Sequence, residues 1–173
     1  MYLISLYFDE KTNKILKRYI ERIAQRTGNS FMTDNRVPPH MTICAIEAKS
    51  IDELIEPFKD ICEKLHSSKI MFVSTGQLLP YVFYLTPVMN SYLRDMNQII
   101  YDEYSKIPDI SISRYYKPES WLAHVTLAKT LNKDQMMTAL DAMISDFSPF
   151  EATVSRIGLS RVNPHEDVMT HIL

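Results

Sequence analysis

Glycine is scarce, with 3 in 173 residues. No stretch therefore supplies the Gly-rich loop whose backbone N–H groups cradle a phosphate. The 2 cysteines, Cys44 and Cys62, fall in no CxxC or other metal spacing. They read as free, largely buried thiols in a reducing cytosol. HExxH is missing and acids do not cluster, so the sequence calls for no metal and no cofactor. An excess of positive charge is missing too. The formal net charge of -2 excludes a general nucleic-acid coater, so a nucleic acid would have to be held locally, at an end or as a small nucleotide. No apolar run approaches the roughly 18 residues that cross a bilayer. The opening MYLISLYFDEK has no basic region ahead of its apolar run and acids directly after it. It reads as a first strand rather than a signal peptide, and the expected location is the cytoplasm. No obligate protein partner is evident.

What is present is ample apolar material: 46% hydrophobic against 23% charged residues. Those are globular values, and the length suits one domain over residues 1–173, built as two small lobes sharing a core. Tyr2 to Phe8 alternates as a strand. Asp9 and Thr12 are cap residues for a helix with Ile15, Leu16, Tyr19, Ile20 and Ile23 at helical spacing, stopped at Gly28. A polar loop follows to Pro39, then a strand from His40 to Ala48. Ser50 and Asp52 open a second helix. Lys69–Leu79 and Tyr81–Thr86 form a hairpin at Pro80, and Pro87 starts a third helix. After a long link from Ile107 to Ser120, a strand runs from Trp121 to Lys129. Asn132 or Asp134 caps a fourth helix, and Phe150–Val162 and Asp167–Leu173 are the last strands.

One phrase occurs twice, as Pro39-His40-Met41-Thr42-Ile43 and Ala123-His124-Val125-Thr126-Leu127, nearly half the chain apart. Residues two apart on a strand share a face, so each His lies beside its Thr. Each phrase opens a strand–helix unit. Two similar lobes facing each other across a groove would bring the copies together. By the same alternation the next groove-facing positions are Cys44 and Ala128, both small enough to leave room for a ligand. A lone strand His is most often a packed or surface residue. Two copies in the same context point to a shared site.

The residue types suit phosphodiester chemistry. One neutral His takes a proton from water or a hydroxyl, and one protonated His gives a proton to the leaving oxygen. Thr hydroxyls donate to the non-bridging oxygens, where charge builds up. The paired phrases PPHMTI and LAHVTL, with the approach KPESWLAHVTL, resemble the 2H phosphoesterase superfamily, which includes bacterial 2′-5′ RNA ligase-like proteins and cyclic nucleotide phosphodiesterases. The resemblance covers nearly the whole chain. It implies an α+β fold of two pseudo-duplicated lobes, with antiparallel sheets facing a central cleft and helices outside. It also implies metal independence, a catalytic pair in His40 and His124, and a phosphate held by Thr42 and Thr126. The expected substrate is a nucleotide or RNA end carrying a 2′,3′-cyclic phosphate. A 2′-5′ RNA ligase, a 2′-5′ oligonucleotide phosphodiesterase and a non-catalytic nucleotide- or RNA-end-binding module are the alternatives. Ala123 departs from the Pro that many relatives have before the second His, which removes no chemical group.

Ahead of the second phrase, where relatives often place a substrate loop, Arg114, Tyr115, Tyr116 and Lys117 combine base-stacking rings with positive charge. Phe31 and Arg36 sit equivalently ahead of the first. Strand parity sends Trp121 to the face opposite His124, into the core, whereas Tyr84 fits either side of its hairpin. His66 is expected at the last turn of its helix, where a cation suits the dipole. His165 and His171, near the terminus and without ligand spacing, are expected on the surface.

Overall fold

The structure is a computed structural model that describes residues 1–162 and 165–173. In chain order its elements are β1 (Tyr2–Phe8), α1 (Glu10–Thr27), α2 (Phe31–Asp34), β2 (Met41–Glu47), α3 (Asp52–Cys62), β3 (Ser68–Leu78) and β4 (Val82–Pro87). They continue with α4 (Ser91–Tyr104), β5 (Ser111–Ile112), a 3-10 turn at Arg114–Tyr116, β6 (Val125–Ala128), α5 (Lys133–Ile144), β7 (Phe150–Arg161) and β8 (Glu166–Ile172).

β7 is the spine. β1 pairs with it along one edge, while β3 takes the opening residues of its other edge and β8 the rest. The hydrogen-bonded path is β5-β2-β1-β7-β3-β4-β6, antiparallel at every step. The expected α+β architecture with antiparallel strands is therefore found. It is laid out as one continuous sheet, because β7 is long enough to serve three neighbours. β2 and β6 stand near opposite ends of that path and yet touch, so the sheet curls back on itself. The inherent twist of β-strands makes such curling the natural course for a long path.

Alternation decides the two faces. Ile4, Leu6 and Phe8 of β1 enter the core against Leu16, Ile20 and Ile23 of α1, whereas Ser5 and Tyr7 take the other face. The Asp9 carboxylate accepts the Thr12 N–H at 2.8 Å at the start of α1, and Gly28 closes the helix at φ 68, where a side chain would be strained. α5 begins with a reciprocal capping box between Asn132 and Gln135. Pro87 does not open a helix. It ends β4 opposite Phe72, and α4 starts after Asn90, whose side chain accepts the Leu93 N–H. α2 and β5 occupy stretches that read as loop, and β5 exists only by pairing with Ile46 and Glu47 of β2. His66 lies beyond the end of α3, exposed, with its ring edge-on to Tyr92, so it meets no helix terminus.

Candidate active site

Both histidines stand at the residue immediately before a motif strand, not within it. Each is held in the same way. His40 Nδ1 lies 2.7 Å from the Pro38 carbonyl, and His124 Nδ1 lies 2.8 Å from the Leu122 carbonyl. A carbonyl only accepts, so Nδ1 carries the hydrogen in both rings. In the neutral imidazole Nε2 is then the basic atom. Among the described residues neither Nε2 has a hydrogen-bond partner. The Pro38-Pro39 pair keeps the approach to His40 extended and stiff.

Past each Thr the strand carries the same irregularity. Ser5 pairs with Thr42 but Ile4 pairs with Cys44, which leaves Ile43 as an extra residue. Tyr84 pairs with Thr126 but Phe83 pairs with Ala128, which leaves Leu127 extra. These are β-bulges, and each flips the alternation downstream. Cys44 and Ala128 consequently face the core, alongside Ile4 and Phe83, and do not line the groove. Burial pushes the Cys44 thiol up to about 12, as befits a structural residue.

A bulge frees backbone carbonyls, and two distant side chains satisfy those of the first motif. Trp121 Nε1 donates to the Thr42 carbonyl at 3.0 Å. The buried Asn97 of α4 donates to the Ile43 carbonyl at 3.2 Å and to the Tyr116 carbonyl at 3.0 Å. Trp121 is buried, as its parity indicates, and it also ties the approach to the second motif onto the first. Asn97 escaped the sequence reading. Its signal is a polar residue at helical spacing among Leu93, Met96 and Ile100.

An aromatic ring rests on each half of the site. Tyr84 meets His124 edge-on at 5.2 Å and packs over Gly76 of β3. Tyr7 lies 6.3 Å from His40 and packs over Gly158 of β7, where a Cβ would come within 2.8 Å of its ring. Two of the chain's three glycines thus make room for rings beside the histidines. The Thr42 hydroxyl is 3.4 Å from the Ser5 hydroxyl, and Thr126 is half-buried.

The first half has a further shell that the second lacks. His165 stacks on His40 with ring centroids 5.6 Å apart and planes at 21°. The Tyr7 hydroxyl donates to Asp167 Oδ1 at 2.6 Å, and Arg156 lies over the Tyr7 ring. His165 is therefore part of the site, not a surface residue as expected. Its place is set by β8 returning along β7, a long-range pairing that spacing near the terminus does not reveal. His171, by contrast, is exposed. Burial holds both His40 and His124 below the usual histidine range. For His40 the neighbouring imidazoles of His165 and His124 add to this, while the Pro38 carbonyl and Asp167 oppose it. That His124 bears on His40 electrically places the pair at one site.

The flanking residues are divided. Arg36, at a positive φ of 51, lines a hollow of about 350 Å³ with Lys17, Pro38 and Pro39, next to His40. Phe31 is half-buried under Lys129. Tyr115 is exposed and takes a hydrogen bond from Arg114 at 2.7 Å, whereas Tyr116 is half-buried against the core. Lys117 lines a separate hollow beside Tyr101 and Tyr104 of α4. Among the described residues no group of three or more His, Cys, Asp or Glu is placed to hold a metal ion, and no helix is long and apolar enough to cross a membrane.

A curled antiparallel sheet whose two ends each present a His and a Thr at a bulge defines a 2H-type phosphoesterase fold. The sequence matches the 2′-5′ RNA ligase superfamily over residues 14–166, and the chain belongs to that superfamily. Escherichia coli LigT complexed with 3′-AMP is similar in structure, with a TM-score of 0.65 at 11% identity over 99% of this chain and 97% of that chain. TT0787 of Thermus thermophilus gives 0.62 at 14% identity over 99% and 97%. A further structure, described as a phosphoesterase, gives 0.66 at 12% identity over 99% and 97%. At such identities the likeness is one of fold. No curated protein matches the sequence.

Proposed function

We propose that this chain opens 2′,3′-cyclic phosphates on nucleotides or RNA ends without a metal. The observation that carries the reading is the duplicated geometry: two imidazoles with Nδ1 tied to a carbonyl and Nε2 left free, each followed by a threonine and a bulge. One Nε2 takes a proton from water as its oxygen attacks phosphorus. The other gives a proton to the departing ribose oxygen as the P–O bond breaks, leaving a phosphomonoester. Thr42 and Thr126 donate to the non-bridging oxygens. The nucleotide class draws support from the 3′-AMP complex of LigT. Because both histidines are held alike, the same groups serve the reverse step, in which an RNA 5′-hydroxyl replaces water and a 2′-5′ bond forms. Arg36 and Phe31 on one side, and Arg114, Tyr115, Tyr116 and Lys117 on the other, are the proposed substrate contacts outside the phosphate, with Arg36 the best placed.

The test is hydrolysis of 2′,3′-cyclic nucleotides in EDTA by wild type, His40→Ala and His124→Ala. Each substitution should cost roughly a hundred- to ten-thousand-fold in rate, the usual worth of acid–base help. Turnover that survives either substitution, or that EDTA abolishes, would sink the reading.

A further inference from the structure

The two halves of the site are alike except at His40, where a third imidazole is stacked. We propose that His165 is a positioning residue which opposes a second positive charge at His40, making His40 the base and leaving His124 as the acid. This deepens the acid–base reading above and rests on it.

The geometry supplies the asymmetry. Tyr7 spends its only hydroxyl hydrogen on Asp167 at 2.6 Å, so toward His165 Nε2, 3.5 Å away, its oxygen can only accept. Asp167 Oδ1, 3.6 Å from the same nitrogen, is likewise an acceptor. His165 Nε2 therefore faces two acceptors and carries a hydrogen. A proton added at Nδ1 then yields a cation with a carboxylate already in ion-pair range. That cation lies against the face of His40, and like charges at such range disfavour each other. Around His40 the charged and titratable groups are His165, Asp167 on β8, Tyr7 on β1, Arg156 over the Tyr7 ring, and His124. Asp167 alone among them favours a proton on His40, and its nearest partners are Tyr7 and His165. His124 has no comparable cation. Its aromatic neighbour is the Tyr84 ring, which tolerates an imidazolium. His40 Nε2 is thereby kept available to accept the proton of water, and His124 Nε2 delivers one to the leaving oxygen.

The experiment is a histidine titration by NMR on the full chain, comparing wild type with His165→Phe, which keeps a ring against His40 but cannot be charged. His165→Gln is run in parallel as an uncharged polar replacement. Loss of the cation should raise the His40 midpoint by about half to one pH unit and leave that of His124 in place. An unmoved His40 midpoint in a folded variant, or equal movement of both histidines, overturns the role of His165. The pH–rate profile on a cyclic nucleotide then assigns the labour. If the acidic limb moves up with the His40 midpoint, His40 is the base. If the basic limb moves instead, the division is reversed and the proposal fails. Absence of any turnover would remove the phosphodiesterase reading, while the titration would still judge His165.

Discussion

A histidine that serves as a base in a cleft has to be partly buried, and burial makes its charged form costly. His40 and His124 carry that cost in the folded state, both held below the ordinary value. The sign follows from linkage. Above the ordinary histidine value of about 6.5 both rings are neutral in the folded and the unfolded chain, and pH has no effect through them. As the pH falls through that value the unfolded chain binds protons first, so folded stability declines until the lowered folded values are reached. The thermal midpoint should therefore be lower at pH 5.5 than at pH 7.5. The drop should be smaller in His40→Gln, as measured by scanning calorimetry at both pH values. A drop of the same size in that variant would mean that His40 contributes nothing to the pH dependence. His40, His124 and their threonines were legible in the sequence because the phrase repeats. His165 was not, because nothing local to residue 165 encodes its approach to residue 40.

At the scale of strands, the two bulges decide what the cleft contains. Simple alternation placed Cys44 and Ala128 in the groove, and one extra residue in each strand, Ile43 and Leu127, sent them to the core. Those residues are ordinary strand formers, so no residue type announced the bulge. Helix ends were more legible: Asp9, Gly28 and Asn132 act as caps where the sequence indicated, since capping chemistry is local. Gly76 shows how a neighbouring strand sets the site. An added Cβ there would collide with the ring Cζ and hydroxyl of Tyr84. The far end of a side chain can swing away, so Gly76→Ala should cost only about 1 kcal/mol of stability. It should displace Tyr84 from His124, however, and kcat should fall as it does in Tyr84→Ala. Equal kcat in Gly76→Ala and wild type would show that the Tyr84 ring does not position His124.

For the molecule as a whole, the decisive fact is that the site unites strands from near the two ends of one sheet. Trp121 is the clasp, its indole N–H on the Thr42 carbonyl. Trp121→Phe leaves that buried carbonyl unpaired, which should cost about 1–3 kcal/mol. It should also lower kcat at temperatures where the protein remains folded, measured by parallel melting curves and kinetics. A stability loss with unchanged kcat would reduce Trp121 to a packing residue. The α+β class and the order of elements were readable from periodicity and caps. The single curled path was not, since it depends on β7 pairing with three strands far apart in the chain.

That curl has a temporal side. The contact between β2 and β6 has no local substitute, because every strand between them in the path must be in register before their ends can meet. Loop-closure entropy is spent before such distant contacts are gained, so they belong to the late part of folding. The two imidazoles consequently become neighbours only when assembly of the sheet is complete. A nascent or half-assembled chain is chemically silent toward RNA, and competence arrives in one step with the native state.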